Sequence, residues 1–209
     1  MIYSENILIC ITAPLLIAAI FLRGESRRFA VFFAVGMFIC LLSAYISGFL
    51  EYAGVMDAKD IPLYLSPVVE ESMKLLPLIF VLLVIQPPED SLFLGAVALG
   101  TGFATFENCC YILTAGAENL AYILVRGLAV GVMHLVCVLM VILGTILARR
   151  TKTLSVAAFV GALSTAMCYH SLYNLLVSQP GVTSMIGYVM PLATVLVLTV
   201  PYRSIRKKI

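Results

Sequence analysis

The chain is a succession of apolar stretches separated by short polar connections. Each stretch is about 20 residues long, the length an α-helix needs to cross the hydrocarbon core of a bilayer. Seven such spans can be drawn, at roughly 2–22, 29–50, 66–86, 91–113, 123–147, 154–177 and 181–201. The connections are too short to hold a separate soluble domain. The pattern predicts an all-α polytopic membrane protein, a bundle of about seven transmembrane helices forming a single integral-membrane domain over residues 1–209.

Composition places the chain among membrane proteins. Hydrophobic residues make up 62% of it and charged residues 11%, whereas charged residues make up about a quarter of an ordinary soluble domain. The net charge of +2 gives no basic surface of the kind that binds nucleic acid, so no nucleic-acid partner is expected. The first charged residue is Glu5, and neither a basic start nor a small-residue cleavage site is present, so the first span is predicted to be retained.

Basic residues are distributed unevenly between the connections, and this predicts the orientation. With the N-terminus outside, the inner side collects ten of them: Arg23, Arg27, Arg28, Arg149, Arg150, Lys152, Arg203, Arg206, Lys207 and Lys208. The outer side then has Lys59 and, at the membrane edge, Arg126. Because cytoplasmic connections carry the excess of Lys and Arg, we expect a multi-pass protein of the cell membrane with its N-terminus outside and its C-terminus in the cytoplasm.

Four of the predicted spans contain ionisable or strongly polar side chains. These are Glu70, Glu71 and Lys74 in the third span, Glu107 in the fourth, His134 in the fifth, and His170 and Asn174 in the sixth. Both histidines of the chain are therefore expected inside the membrane. Ionisable groups at bilayer depth cost free energy unless they are paired or face a cavity, so they mark a functional site by default.

The polar groups are expected at a similar depth. Ser66 followed by Pro67 has the form of a helix N-cap and first helical residue, which leaves Ile61 to Leu65 as an interfacial or re-entrant lead-in. The residue spacings then place the polar groups about 5 to 12 Å below the outer surface. Polar residues that were unrelated to one another would lie at scattered depths in the bilayer. Their similar depth therefore predicts one site formed by four helices.

Read together, the polar residues form an ordered set of short motifs. They are E-E-x-x-K (Glu70, Glu71, Lys74), F-x-x-x-E (Phe103, Glu107), an arginine followed eight residues later by a histidine (Arg126, His134), and H-x-x-x-N (His170, Asn174). This order resembles the PrsW family of intramembrane proteases and, more distantly, the CAAX prenyl endopeptidase superfamily. The resemblance covers a motif-bearing core over residues 66–177. The position of Glu107 is usually histidine in the CAAX relatives.

The resemblance implies a membrane endopeptidase acting in regulated intramembrane proteolysis. Its expected partners are the lipid bilayer and a single-span membrane protein substrate, such as an anti-sigma factor, which would be cleaved near the extracytoplasmic face. A carboxylate held away from bulk water can act as a general base toward a bound water. We expect Glu70 to be that base.

The remaining motif residues are expected to support it. Glu107 and His134 would hold or polarise the water, and Glu71 would pair with Lys74 at i,i+3. His170 and Asn174, one helical turn apart, would donate hydrogen bonds to the developing oxyanion. No serine stands in a pattern that predicts a nucleophile.

Other functions stay open at this point. Glu70, Glu107, His134 and His170 are zinc-ligand types, so a metal-dependent protease is the main alternative, although H-E-x-x-H is absent and no cofactor is favoured. An ion transporter would use the same groups as a proton or cation relay, but the sequence lacks repeats with broken helices. A non-catalytic scaffold of the same fold would have no need of such costly groups.

Overall fold

The computed structural model describes residues 4–115, 120–151 and 155–206, and it contains helices and no strands in these ranges. The helices are, in order, α1 (Ser4–Phe21), α2 (Gly24–Tyr52), α3 (Ser66–Phe80), α4 (Glu89–Ala115), α5 (Leu120–Thr151), α6 (Ser155–Ser178) and α7 (Val182–Arg206). All but α3 are long and apolar enough to cross a membrane. The predicted all-α polytopic bundle is confirmed.

Helix α3 is the exception, at 15 residues, and it carries three charged side chains. Wider helical turns with i→i+5 hydrogen bonds extend it at both ends, over Ile61–Leu65 and Val81–Ile85. The helical path stops at Gln86, whose backbone is left-handed with φ 48°, directly before two prolines. The third predicted span is therefore occupied by a composite helix.

The predicted N-cap at Ser66 is wrong. Ser66 has helical backbone angles, φ −57° and ψ −46°, and its N–H donates to the carbonyl of Ile61. The helical hydrogen bonds begin earlier, because Tyr64 N–H donates to Asp60 O at 3.0 Å. Since the preceding turn already supplies acceptors, the N–H groups near Ser66 need no side-chain cap. The lead-in is thus helical and continuous with α3.

Helices α2 and α4 approach closely through glycine. A Cβ atom on Gly36 would collide with the backbone of Leu99, and one on Gly102 would collide with the backbone of Phe33. Small residues at such positions let membrane helices pack backbone to backbone. This contact places the second half of α4, with Phe103 and Glu107, against the interior of the bundle.

Helices α3, α5 and α6 enclose a second part of the core. Leu75, Met133, Cys137 and Tyr173 are buried there together. By contrast, large side chains on the outward faces, such as Phe21 and Leu196, are exposed and apolar, as contact with lipid requires. The polar residues of the four motif-bearing helices therefore point into the bundle.

Candidate active site

The polar side chains of α3, α4, α5 and α6 gather in one cluster, in which side-chain contacts of 3.9 Å or less link all members except Asn174. Its members are Glu70, Glu71, Lys74, Glu107, Arg126, His134, His170 and Asn174. Residues three or four apart share a helix face, so Glu71 and Lys74, or His170 and Asn174, can point the same way. The convergence expected from their common depth is present in the structure.

Lys74 lies at the centre of this cluster and is only 1% exposed. Its Nζ lies 2.7 Å from Glu71 Oε1, which forms the expected i,i+3 ion pair, and 2.8 Å from His134 Nδ1. The ring of Phe103 lies below it, with its centroid 4.1 Å from Nζ. The three N–H groups of the ammonium thus have an oxygen, a nitrogen and an aromatic face as partners.

His170 joins α6 to both glutamates of α3. Its Nδ1 is 2.8 Å from Glu71 Oε1, and its Nε2 is 3.9 Å from Glu70 Oε2. The second distance is too long for a direct hydrogen bond. The His170 ring stands edge-on to that of His134, with centroids 5.0 Å apart.

Glu107 is held from two sides by α5. One of its carboxylate oxygens contacts His134 Nε2, and the other lies 3.3 Å from Arg126 Nη2. The Arg126 guanidinium lies over the ring of Tyr111, 3.2 Å from the centroid. Tyr111 was not among the predicted site residues, although its position four residues after Glu107 on one helix face was an available signal.

Asn174 is bound to the segment that precedes α3. Its Nδ2 donates to the carbonyl of Pro62 at 2.9 Å. This contact uses one of the two amide N–H groups. No feature of the sequence indicated Pro62 as a partner, because the bond depends on how α6 packs against the lead-in.

A cavity of about 420 Å³ opens beside the cluster, where α3 and α5 begin and α4 and α6 end. Its polar lining includes Glu70, Glu107, Arg126, His170 and Asn174. Val130, Met133, Val177 and Tyr188 form an apolar wall. Among the described residues, neither Glu70 Oε2 nor Arg126 Nε has a hydrogen-bond partner, although both atoms are buried. One unpaired acceptor and one unpaired donor therefore belong to residues that line the same space.

The cluster includes donor atoms suited to a metal ion. Glu70, His134 and His170 each offer one within 4.8 Å of the others, and Glu71, Cys137 and His170 form a second, fully buried group. One carboxylate and two imidazoles are a ligand set known for catalytic zinc. Glu107, also expected as a ligand, belongs to neither group. The nitrogens of His134 are both engaged, Nδ1 by Lys74 and Nε2 by Glu107.

A multi-pass helical bundle with carboxylates and histidines around an internal cavity fits an intramembrane hydrolase, and it also fits an ion pathway. Comparison with models of protein families identifies the family to which the chain belongs. The model described as "PrsW family intramembrane metalloprotease" matches residues 25–200, so the chain belongs to the PrsW family and is an intramembrane protease. The match includes all the predicted motifs. No curated protein and no solved structure gives a significant match.

Proposed function

We propose that the protein hydrolyses a peptide bond of a membrane-anchored substrate with a water molecule activated by the Glu70 carboxylate. The observation that carries this assignment is the buried Oε2 atom of Glu70, a residue of the cavity wall; this atom has no hydrogen-bond partner among the described residues. An ionised carboxylate only accepts hydrogen bonds, so this atom is available to a water proton. The other carboxylates, Glu71 and Glu107, already accept bonds from neighbouring side chains.

His170 provides the opposite side of the water site. When its Nδ1–H donates to Glu71, its Nε2 presents a lone pair toward Glu70. The 3.9 Å between Nε2 and Glu70 Oε2 allows one water to donate a hydrogen bond to each atom. As the water oxygen attacks the scissile carbonyl, Glu70 takes one proton and then gives it to the leaving amide nitrogen when the C–N bond breaks.

The oxyanion of the tetrahedral intermediate requires hydrogen-bond donors on the cavity wall. The second amide N–H of Asn174 and the Nε–H of Arg126 are such donors, and both residues line the cavity. His170, the other residue expected in this role, uses its donor for Glu71. The oxyanion role therefore falls to Asn174 with Arg126.

The position of the cavity supports cleavage near the extracytoplasmic face. It lies at the end of the bundle where α3 and α5 begin, which is the outer end if Arg27 and the other basic residues of the α1–α2 turn are cytoplasmic. The site then cleaves near the extracytoplasmic face. A single-span membrane protein such as an anti-sigma factor is the substrate to test first.

The test is cleavage of candidate single-span substrates by the purified protein in liposomes. Glu70→Gln keeps the shape and hydrogen-bonding capacity of the side chain but removes the base, and we expect a loss of about 10²–10⁴-fold in cleavage rate. Glu51→Gln, at an exposed position at the end of α2, is the matched control and is expected to retain the parental rate. Equal rates for Glu70→Gln and the parent protein would remove Glu70 from the mechanism.

A metal-dependent protease is the second candidate, because Glu70, His134 and His170 each offer a ligand atom within 4.8 Å of the others and the family is described as metalloproteases. Zinc bound by these residues would polarise the scissile carbonyl as a Lewis acid. The arrangement at His134 favours the carboxylate mechanism. Lys74 donates to Nδ1, so the neutral ring carries its proton on Nε2, and its one nitrogen lone pair, on Nδ1, accepts from Lys74 and is not available to a metal.

A further inference from the structure

Lys74 is a fully buried charge that the hydrolytic steps above do not use. Burying an ammonium is costly unless it is paired, and replacing Lys74 alone would leave the buried Glu71 carboxylate without its counter-charge. Its position between Glu71 and His134 links α3 to α5, and Glu71 continues the link to His170 on α6. The chain of contacts therefore reaches both histidines of the protein.

The contact with His134 sets where that ring carries its proton. An ammonium group donates hydrogen bonds and cannot accept them, so His134 Nδ1 must be the acceptor in the 2.8 Å contact. A neutral imidazole then has its proton on Nε2. That nitrogen faces the Glu107 carboxylate, which accepts the hydrogen bond.

The contact of Lys74 with Glu71 determines which ring nitrogen of His170 carries its proton, and the result is the opposite of that for His134. Lys74 keeps Glu71 ionised by charge pairing at 2.7 Å, and an ionised carboxylate only accepts hydrogen bonds. His170 Nδ1, 2.8 Å from the same carboxylate oxygen, must therefore carry the proton. Its Nε2 is left as a lone pair on the side of Glu70.

We propose that Lys74 is a positioning residue that holds the two histidines in opposite tautomers, Nε2–H on His134 and Nδ1–H on His170. The inference rests on the proposed function, in which Glu70 and His170 Nε2 share the attacking water. With both proton positions set before the substrate binds, the water donates its two hydrogen bonds to Glu70 and to His170 Nε2. Its oxygen lone pair is then directed away from these two acceptors and toward the substrate. No proton has to be rearranged before attack.

The tautomers can be measured directly, because the chain contains two histidines. Nitrogen-15 NMR of protein labelled at histidine, purified without a histidine tag and placed in liposomes, distinguishes protonated from bare ring nitrogens at Nδ1 and Nε2. His134→Asn, which leaves one histidine, assigns the signals. In the parent protein we expect one ring protonated at Nε2 and the other at Nδ1. Two rings in the same tautomer would overturn the proposal without any further variant.

Substitution then tests the part played by Lys74. In Lys74→Met the Glu107 carboxylate still accepts from His134 Nε2, so the His134 signals should stay parental. The buried Glu71 loses its counter-charge and is expected to take up a proton and donate to His170 Nδ1, so the His170 signals should move toward protonation at Nε2. We expect kcat to fall about 10–100-fold with KM little changed, as for other residues that orient a catalytic group. Lys59→Met, at an exposed position, is the matched control. Lys74→Arg retains a cationic donor and is expected to keep the parental tautomers, which covers the case in which the methionine variant does not fold.

The outcomes also separate this inference from the proposed function. Parental tautomers in Lys74→Met or a change of tautomer in Lys74→Arg would overturn the role of Lys74, whatever the activity of Glu70→Gln. Opposite tautomers in the parent protein, lost in Lys74→Met, would support it even if Glu70→Gln remained active. In that case the general base would have to be another group.

Discussion

Glu70 Oε2 and His170 Nε2 face each other across 3.9 Å, at the wall of a cavity inside the helix bundle. The neighbouring carboxylates of Glu70 and Glu71 differ in their hydrogen bonding. Glu71 accepts hydrogen bonds from Lys74 and His170, whereas Glu70 Oε2 is buried without a partner among the described residues. An unsatisfied buried acceptor costs stability, and such costs persist at sites where the group is needed for function.

Replacing Glu70 by glutamine should therefore leave the protein as stable as the parent or slightly more stable. The substitution removes a partly buried charge and keeps the volume of the side chain. Thermal unfolding of the purified variant in detergent measures this effect. A large loss of stability would mean that Glu70 is a structural residue, and its loss of activity would then be uninformative.

Replacing Glu71 by glutamine should have the opposite effect on stability. Glu71 and Lys74 are 2% and 1% exposed, and the substitution leaves the ammonium without its counter-charge. Breaking a buried pair in this way costs about 3–5 kcal/mol. We expect lower abundance in the membrane and a lower unfolding temperature, with Glu51→Gln as the unaffected control. Parental stability in Glu71→Gln would show that the ion pair adds little.

Chelation separates the two catalytic candidates. With water activated by a carboxylate, cleavage should survive a strong zinc chelator, purified protein should contain far less than stoichiometric zinc, and His134→Gln should retain measurable turnover. A catalytic metal requires the reverse, since loss of one of its protein ligands weakens binding severely. Stoichiometric zinc that leaves and returns together with activity would establish the second candidate, and the protein would still be an intramembrane protease.

Labelling tests the proposed orientation. Cysteine at Lys59 should react with a membrane-impermeant thiol reagent in intact cells, whereas cysteine at Arg27 should react only after the membrane is opened. Both positions are exposed, so a difference reports the side of the membrane. The parent protein, which has six cysteines, supplies the background. The reverse pattern would place the N-terminus in the cytoplasm and the cavity at the inner face.

The close contact of α2 and α4 predicts a contrast between two glycines. Gly102→Ala would force a Cβ into the Phe33 backbone, and helices cannot yield there without separating. We expect a loss of about 1–3 kcal/mol, measured by unfolding in detergent. Gly48→Ala, which meets nothing within 4 Å, should be neutral or slightly stabilising. Similar effects at both glycines would argue against this packing.

Several features follow from the sequence because they depend on local spacing. The long apolar runs are sufficient to predict a membrane-spanning helical bundle, since each helix satisfies its own backbone hydrogen bonds. The i,i+3 separation of Glu71 and Lys74 likewise places them on one face, and their ion pair is present. The N-cap at Ser66 was wrong because it depended on the conformation of the residues before it, which a short motif does not specify.

Residue spacing along the chain is sufficient to predict a membrane bundle with polar groups on four helices. Which of those groups come into contact depends on how the helices pack against one another. His134 lies 60 residues from Lys74 and His170 lies 99 residues from Glu71, so no local rule relates them. The rotation of each helix, set by packing such as the glycine contact of α2 with α4, brings these pairs together and leaves Glu70 facing the cavity. A helix repeats every 3.6 residues, but the direction in which its face points is fixed by its neighbours.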